Sequence, residues 1–63
     1  MYAVEYRAAL KRLALSQRAA GPWLGVSSRQ AERFASGERA IPESIAKLIR
    51  LVLRLGLTVD EVR

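Results

Sequence analysis

Apolar side chains recur along this chain at steps of three and four residues, and alternation in steps of two is absent throughout. The first spacing is typical of helices that bury one face, whereas alternation would indicate half-buried strands. The sequence therefore predicts an all-α fold of four or five helices without a sheet. Its 63 residues allow one small domain, residues 1–63, with no internal linker or repeat.

Two helices are predicted in the first part of the chain. One covers roughly residues 3–13, where a single face combines Ala3, Tyr6, Leu10 and Leu13. The other starts at Ser16, whose hydroxyl can accept a hydrogen bond from an unpaired main-chain N–H at the helix start. It ends at Leu24, because Gly25 readily adopts the left-handed conformation that closes a helix.

A third helix is predicted to open at Ser27, where Gln30 completes a capping box. It runs to about Ala35 and stops at Ser36 and Gly37, and a loop follows. The third helix is therefore short and begins with a strong helix-start signal.

The fourth helix is predicted to start at Pro42, because a proline in the first helical position loses no hydrogen bond. It runs to Leu55 and is closed by Gly56. Thr58 and Glu61 form another capping box, which predicts one last short helical element.

The fourth helix is apolar around most of its circumference. Its charged residues fall within a sector of roughly 60°, and its apolar residues occupy an arc of roughly 220°. A surface helix commonly has an apolar stripe a little over ~100° wide, so burial on two sides is expected. We therefore predict a homodimer in which the C-terminal helices, residues 42–62, contribute Leu48, Val52, Leu55, Leu57, Val59 and Val62. The alternative is that the first helix and the C-terminal turn cover the whole arc.

Charge and composition limit the classes of binding partner. Eleven Lys and Arg residues against six Asp and Glu residues leave a net charge of +5. A basic domain of this kind is typical of a polyanion as partner, either nucleic acid or an acidic membrane surface, and on charge alone a merely solvated cationic surface is an equal alternative. Cysteine and histidine are absent, so we expect no metal, no cofactor and no catalysis by these residues.

The expected location is the cytoplasm. The longest apolar run is far shorter than the ~20 residues of a membrane span. The N-terminal segment lacks the apolar core of a signal peptide, and the absence of cysteine fits a reducing compartment. No membrane partner is therefore expected.

Residues 16–36 combine a helix, a glycine-containing turn and a second helix rich in Arg, Ser and Gln, which predicts a helix-turn-helix. Gly21 would lie where the two helices cross closely, and Gly25 would adopt a positive φ, which costs other residues on the order of 1 kcal/mol. Val26 would pack into the core beside the inward-facing Ala31 and Phe34. The outward face would then combine Ser28, Arg29, Glu32, Arg33 and Ser36. A helix with such a face fits the major groove of DNA.

The segment Leu15–Pro42 resembles the helix-turn-helix of the Cro/CI-type (XRE-like) family of bacterial and phage regulators. The matching residues are Leu15-Ser16-Gln17, Gly21, Gly25-Val26-Ser27, Phe34 and Ser36-Gly37-Glu38-Arg39. The resemblance implies a lambda-repressor-like bundle of four or five helices. It also implies a repressor or autorepressor that binds a palindromic operator in double-stranded DNA as a dimer, with half-sites about 34 Å apart.

The resemblance also implies a set of contacts to DNA. Base contacts would come from Ser28, Arg29, Glu32 and Arg33, and phosphate contacts from Gln17, Arg18, Ser36, Gly37 and Arg39. The expected specific contact is Arg29 or Arg33 bidentate to a guanine. For Glu32, an ion pair with Arg29 or a role against non-specific binding is favoured over a contact to a cytosine amino group.

The chain departs from the family pattern in four places, Ala14, Pro22, Ala31 and Ala35. Ala14 stands where glycine often ends the first helix, so another turn geometry is expected there. Ala31 replaces a larger residue and leaves room that Trp23 can fill. Ala35 stands where glutamate is frequent, so a usual polar link is lost.

Pro22 is the departure with the largest expected cost. Inside the second helix it removes the hydrogen bond to the Arg18 carbonyl, at roughly 3 kcal/mol. A kink at Gly21–Pro22 is favoured, and the alternative is a loose turn over residues 16–20 with a short helix starting at Pro22. Trp23 would pack beside the kink; its alternative role is to stack on a base or contact a partner.

Three other functions compete with DNA binding. The same fold can serve as a protein-interaction module, such as an antitoxin or adaptor, whose C-terminal helices bind another protein. A membrane-surface protein would fit the apolar arc and the arginines, but the capped turns indicate a compact fold. Enzymatic activity is disfavoured, because no carboxylate pair shares a scaffold and Glu38 and Glu43 look like loop and helix-start charges.

Overall fold

The computed structural model describes residues 1–62 as four α-helices followed by one short 3₁₀ turn. The elements are α1 (Ala3–Arg12), α2 (Gln17–Leu24), α3 (Ser28–Ser36), α4 (Glu43–Leu55) and the 3₁₀ turn Asp60–Val62. These residues contain no strand, and they form a globule of 28 × 19 × 19 Å. The predicted all-α fold is confirmed for them, while Arg63 of the predicted domain lies outside the described residues.

Polar caps define the ends of the helices. Ser16 Oγ accepts a hydrogen bond from the Ala19 N–H at 3.0 Å, and Ser27 Oγ accepts one from the Gln30 N–H at 3.1 Å. Gly25, after α2, adopts a left-handed φ of 80°, as predicted. Pro42 is the residue that precedes α4 rather than its first helical residue, so that boundary differs by one position.

The C-terminal capping box is confirmed. The Thr58 N–H and the Glu61 Oε1 lie 3.3 Å apart, and the Glu61 N–H donates to Thr58 Oγ1 at 3.3 Å. Both contacts are exposed. The segment is also tied to the body of the domain, because Trp23 Nε1 donates to the Val59 carbonyl at 3.1 Å.

The core lies between α1, α3 and α4. Its largest fully buried side chains are Tyr6, Leu10, Phe34, Ile49 and Val52. The Tyr6 and Phe34 rings meet edge to face, with centroids 6.0 Å apart. This geometry suits the charge distribution of aromatic rings. Ala31 is fully buried, and Val26, Trp23 and Leu24 pack against the core from α2 and its turn.

The predicted inner face of α1 is correct only in its centre. Tyr6 and Leu10 are buried, whereas Ala3 and Leu13 are half-buried at the two ends. Ala9 is buried in their place. The fully buried residues of α1 are therefore confined to positions 6–10, and both ends of the helix are partly exposed to solvent.

Two departures from the family pattern are compensated by the main chain. Ala14 adopts a φ of 56°, a left-handed conformation that favours glycine, so the turn keeps a glycine-like backbone. Ala35 offers no side-chain acceptor, but its carbonyl oxygen accepts a hydrogen bond from the Arg7 guanidinium. α1 and α3 therefore remain linked by a polar contact.

The apolar surface of α4 is divided differently from the prediction. Val52 is only 1% exposed and lies in the core of its own chain, so its placement at a dimer interface is wrong. Leu55, at 61%, and Leu51, at 53%, are the exposed leucines of this helix, and Leu48 is half-buried. Leu57, Val59 and Val62 are also half-buried. The alternative of complete coverage within one chain is wrong as well.

Residues 1–62 include no helix that is both long and apolar enough to cross a bilayer.

Candidate nucleic-acid interface

α2 and α3 approach each other closely at Gly21, which is buried. A Cβ atom at this position would lie 2.8 Å from main-chain atoms of both Ser27 and Ser28. Non-bonded carbon atoms rest at about 3.5–4.0 Å, so only glycine fits without a shift of the backbone. The Val26 N–H donates to the Gly21 carbonyl at 2.9 Å and fixes the turn between the helices. The predicted role of Gly21 is therefore confirmed.

Pro22 lies inside one continuous helix. α2 runs from Gln17 to Leu24, so the alternative of a loose turn over residues 16–20 is wrong. A kink at Gly21–Pro22 stays a prediction. The structure adds a contact that the sequence did not indicate, because Ser28 Oγ donates a hydrogen bond to the Arg18 carbonyl at 3.1 Å.

The outer side of α3 carries the predicted base-contacting side chains. Arg29 and Glu32 are exposed, and Arg33 is half-exposed. An open cleft of about 300 Å³ is lined by Arg29, Glu32, Arg33, Ser36 and Glu38. The structure thus brings three of the four predicted base contacts together in solvent, and Ser28 lies half-buried against α2.

The ion pairs of this face differ from the prediction. Arg33 Nε lies 3.8 Å from Glu38 Oε2 in the loop after α3. Glu32 pairs with no cation among residues 1–62, so the favoured pair with Arg29 is wrong. In an exposed ion pair, the entropy lost on ordering two side chains offsets most of the weak electrostatic attraction. Arg29 and Glu32 therefore gain little stability from pairing. Arg29 therefore presents to solvent a guanidinium that has no ion pair within residues 1–62.

The predicted phosphate contacts are exposed but lie in two groups. Gln17 and Arg18 occupy the first turn of α2, and Ser36 closes α3. Gly37 and Arg39 line a second open cleft together with the N-terminal residues 1–3. The Ser36 hydroxyl also builds the turn itself, because it donates to the Arg33 carbonyl at 3.1 Å.

The surface has the chemistry of a binding site for an anion. Among residues 1–62 no charged side chain is buried, and no group of His, Cys, Asp or Glu side chains could hold a metal ion. The cleft on α3 offers the guanidinium groups of Arg29 and Arg33, which can donate to phosphates and base edges, beside the carboxylates of Glu32 and Glu38.

Comparison with protein-family models, curated proteins and solved structures found no match to this chain.

Proposed function

We propose that this chain is a sequence-specific, double-stranded DNA-binding regulator of the Cro/CI (XRE-like) type, in which α2 and α3 form a helix-turn-helix and α3 enters the major groove. The observation that carries the proposal is the exposed face of α3. It aligns Arg29 and Arg33 on the side of the helix opposite the buried Ala31 and Phe34. Arginine bidentate to guanine is the commonest specific contact in the major groove.

The electrostatics of the chain support the same partner. The net charge is +5, and Arg29 and Arg39 form no ion pair with residues 1–62. Cations that neutralise phosphates release condensed counterions, which supplies affinity for any duplex. Gln17 and Arg18 on one side and Ser36, Gly37 and Arg39 on the other would fix the position of α3 along the groove.

The regulator is proposed to act as a homodimer on a palindromic operator, as a repressor or autorepressor in the cytoplasm. The exposed Leu51 and Leu55 and the half-buried Leu48 form an apolar strip on α4, and Leu51 takes the place predicted for Val52. Exposed leucines grouped in this way favour contact with another protein surface. Leu57, Val59 and Val62 remain partly accessible beside the dimer contact.

Selection from a random duplex library tests the proposal. The full chain is incubated with random-sequence DNA, the bound fraction is amplified, and the enriched sequence is labelled for an anisotropy titration at physiological salt. We expect the enriched duplex to bind about 10³-fold or more tightly than a shuffled duplex of the same composition. Equal binding to the two duplexes, or no enrichment, would contradict sequence-specific recognition.

A second candidate function is a protein-interaction module of the antitoxin or adaptor type. It is favoured by the same apolar strip on α4, which Lys47 and Arg54 flank without an ion pair to residues 1–62. Light scattering of the purified chain, with and without the enriched duplex, separates the two. A monomer that ignores DNA but co-purifies with a different chain supports the second function.

A further inference from the structure

One main-chain carbonyl in α2 lacks its usual donor within the helix. In an α-helix the carbonyl of residue i accepts from the N–H of residue i+4, and the residue four positions after Arg18 is Pro22, which has no N–H. Ser28 Oγ, on the neighbouring helix, donates to this same carbonyl at 3.1 Å. Pro22 in α2 therefore leaves the Arg18 carbonyl without its helical donor, and Ser28 in α3 donates to it instead.

This hydrogen bond lies beside the close approach of the two helices. Arg18 and Gly21 are three positions apart, so they lie on the same face of α2. Gly21 contacts the main chain of Ser27 and Ser28, and Arg18 binds the side chain of Ser28. The first turn of α3 is thus held at two points about one helical turn apart along α2, which opposes a pivot of α3.

We infer that Pro22 and Ser28 form a matched pair that sets the orientation of α3 against α2, and that Ser28 is a positioning residue for DNA recognition rather than a hydrogen-bond donor to bases. The inference rests on the proposed function. Pro22 vacates the Arg18 carbonyl, and Ser28 is the donor that occupies it.

Two consequences follow for recognition. The Ser28 hydroxyl uses its one proton on the Arg18 carbonyl, so it has none to donate to a base. Donation to base edges then falls to Arg29 and Arg33, while the Ser28 oxygen keeps only its capacity to accept. The bond also joins Arg18, a proposed phosphate contact, to the start of the recognition helix, so that the phosphate register and the placement of α3 are set together.

A double-mutant cycle on folding tests the pair without DNA. The variants are Ser28→Ala, Pro22→Ala and their combination, unfolded in urea and followed by far-ultraviolet circular dichroism. In the parent chain, Ser28→Ala should raise the unfolding equilibrium constant about fivefold, since it leaves a main-chain acceptor without its protein donor. In the Pro22→Ala background the same change should have less than about a twofold effect, because residue 22 then supplies an N–H to Arg18.

Two further variants serve as a conservative replacement and as a control. Ser28→Thr retains a hydroxyl and should preserve most of the stability that Ser28→Ala loses, even if Ser28→Ala unfolds. Ser44→Ala removes an exposed serine hydroxyl from α4 and serves as the matched control, with no expected dependence on residue 22. An equal cost of Ser28→Ala in the two backgrounds, or no cost in either, would overturn the pairing.

The DNA arm separates positioning from stability. With the enriched duplex, Ser28→Ala and Pro22→Ala should each lower the ratio of specific to shuffled affinity about tenfold, and Ser28→Thr should restore it. Pro22→Ala is the more informative variant, because its new N–H competes with Ser28 for the Arg18 carbonyl and never leaves that carbonyl unpaired. Retention of the full ratio in both variants would refute the positioning role. Coupling in the cycle together with no DNA binding by the parent chain would refute the proposed function and leave the Pro22–Ser28 pair standing.

Discussion

The α2–α3 pair and α4 are held in the domain in different ways. α2 and α3 meet through the main chain, with Gly21 against the backbone of Ser27 and the Arg18 carbonyl bound by Ser28. α4 contributes buried aliphatic side chains, among them Ile49 and Val52, and it leaves leucines exposed on another side. One region presents charge and the other presents apolar surface.

The difference shows which kind of contact demands a particular residue. The contacts between α2 and α3 depend on particular residue types. The close approach needs a residue without a Cβ atom, and the hydrogen bond to the carbonyl left free by the proline needs a side-chain hydroxyl. Aliphatic packing tolerates exchange between residues of similar volume. Substitutions at the contact between α2 and α3 should therefore lower the free energy of unfolding more than substitutions on α4.

The largest effect is expected at Gly21. In Gly21→Ala the new methyl group would meet main-chain atoms of Ser27 and Ser28 at 2.8 Å, and neither can rotate away. We expect a loss of about 3 kcal/mol in the free energy of unfolding, measured by urea denaturation, as for a severely overpacked core. A stability within 0.5 kcal/mol of the parent chain, roughly the range of surface substitutions, would contradict the close approach.

Two other glycines serve as controls for that variant. Gly25 and Gly56 have φ angles of 80° and 69°, and a Cβ atom would meet nothing within 4 Å at either one. Gly25→Ala and Gly56→Ala should therefore each cost only about 1 kcal/mol, from the left-handed backbone alone. A similar loss at all three glycines would mean that backbone conformation, not helix contact, sets the cost at Gly21.

The second effect separates the two sides of α4. Val52→Ala removes buried methyl groups and should lower the free energy of unfolding by about 2 kcal/mol. Leu51→Ala, at the neighbouring exposed position, should change monomer stability by less than about 0.5 kcal/mol. It should instead weaken self-association measured by analytical ultracentrifugation, and unchanged association in this variant would show that the strip is not the dimer contact.

The predictions from sequence were more accurate for the ends of α2 and α3 than for the packing of α4. The Ser16 and Ser27 caps and the left-handed Gly25 depend on local chemistry, so residue types at fixed spacing were sufficient to predict them. The choice between Val52 and Leu51 depends on where α1 and α3 lie around α4, and helical periodicity alone does not contain that information. Val52, predicted to face a partner, is buried in its own chain, and Leu51 on the same apolar arc is the exposed residue.

The candidate site was also predictable only in part. The pattern of buried Ala31 and Phe34 was sufficient to place Arg29 and Arg33 on the open side of α3. The bond from Ser28 to the Arg18 carbonyl was missed, although Pro22 was a usable signal. A proline inside a helix frees one identifiable carbonyl, and a hydroxyl at the start of the next helix is a candidate donor.

A substitution that raises stability is expected at Tyr6, in the core of the domain. Its hydroxyl is fully buried and has no hydrogen-bond partner among residues 1–62. Tyr6→Phe should therefore raise the free energy of unfolding by about 1 kcal/mol. Tyr2→Phe, at an exposed tyrosine, is the matched control and should change it little.

The same residue predicts a pH dependence. Burial raises the pKa of Tyr6 above its ordinary value of 10.0, so the folded chain keeps this hydroxyl neutral where the unfolded chain ionises it. Its contribution to stability is complete below pH 10 and decreases as the pH rises through the folded-state pKa. Urea midpoints should fall more steeply above pH 10 in the parent chain than in Tyr6→Phe, and parallel profiles would contradict the assignment.

The most direct test of the central claim is the effect of removing one arginine from each region on DNA binding. Arg29→Ala and Arg54→Ala delete the same charge from α3 and from α4, and both arginines are exposed and unpaired within residues 1–62. Anisotropy titrations would use the enriched duplex and its shuffled version. Arg29→Ala should lose at least about tenfold in the ratio of the two affinities, and Arg54→Ala should leave that ratio unchanged. Equal ratios in the two variants would contradict recognition of DNA by the exposed face of α3.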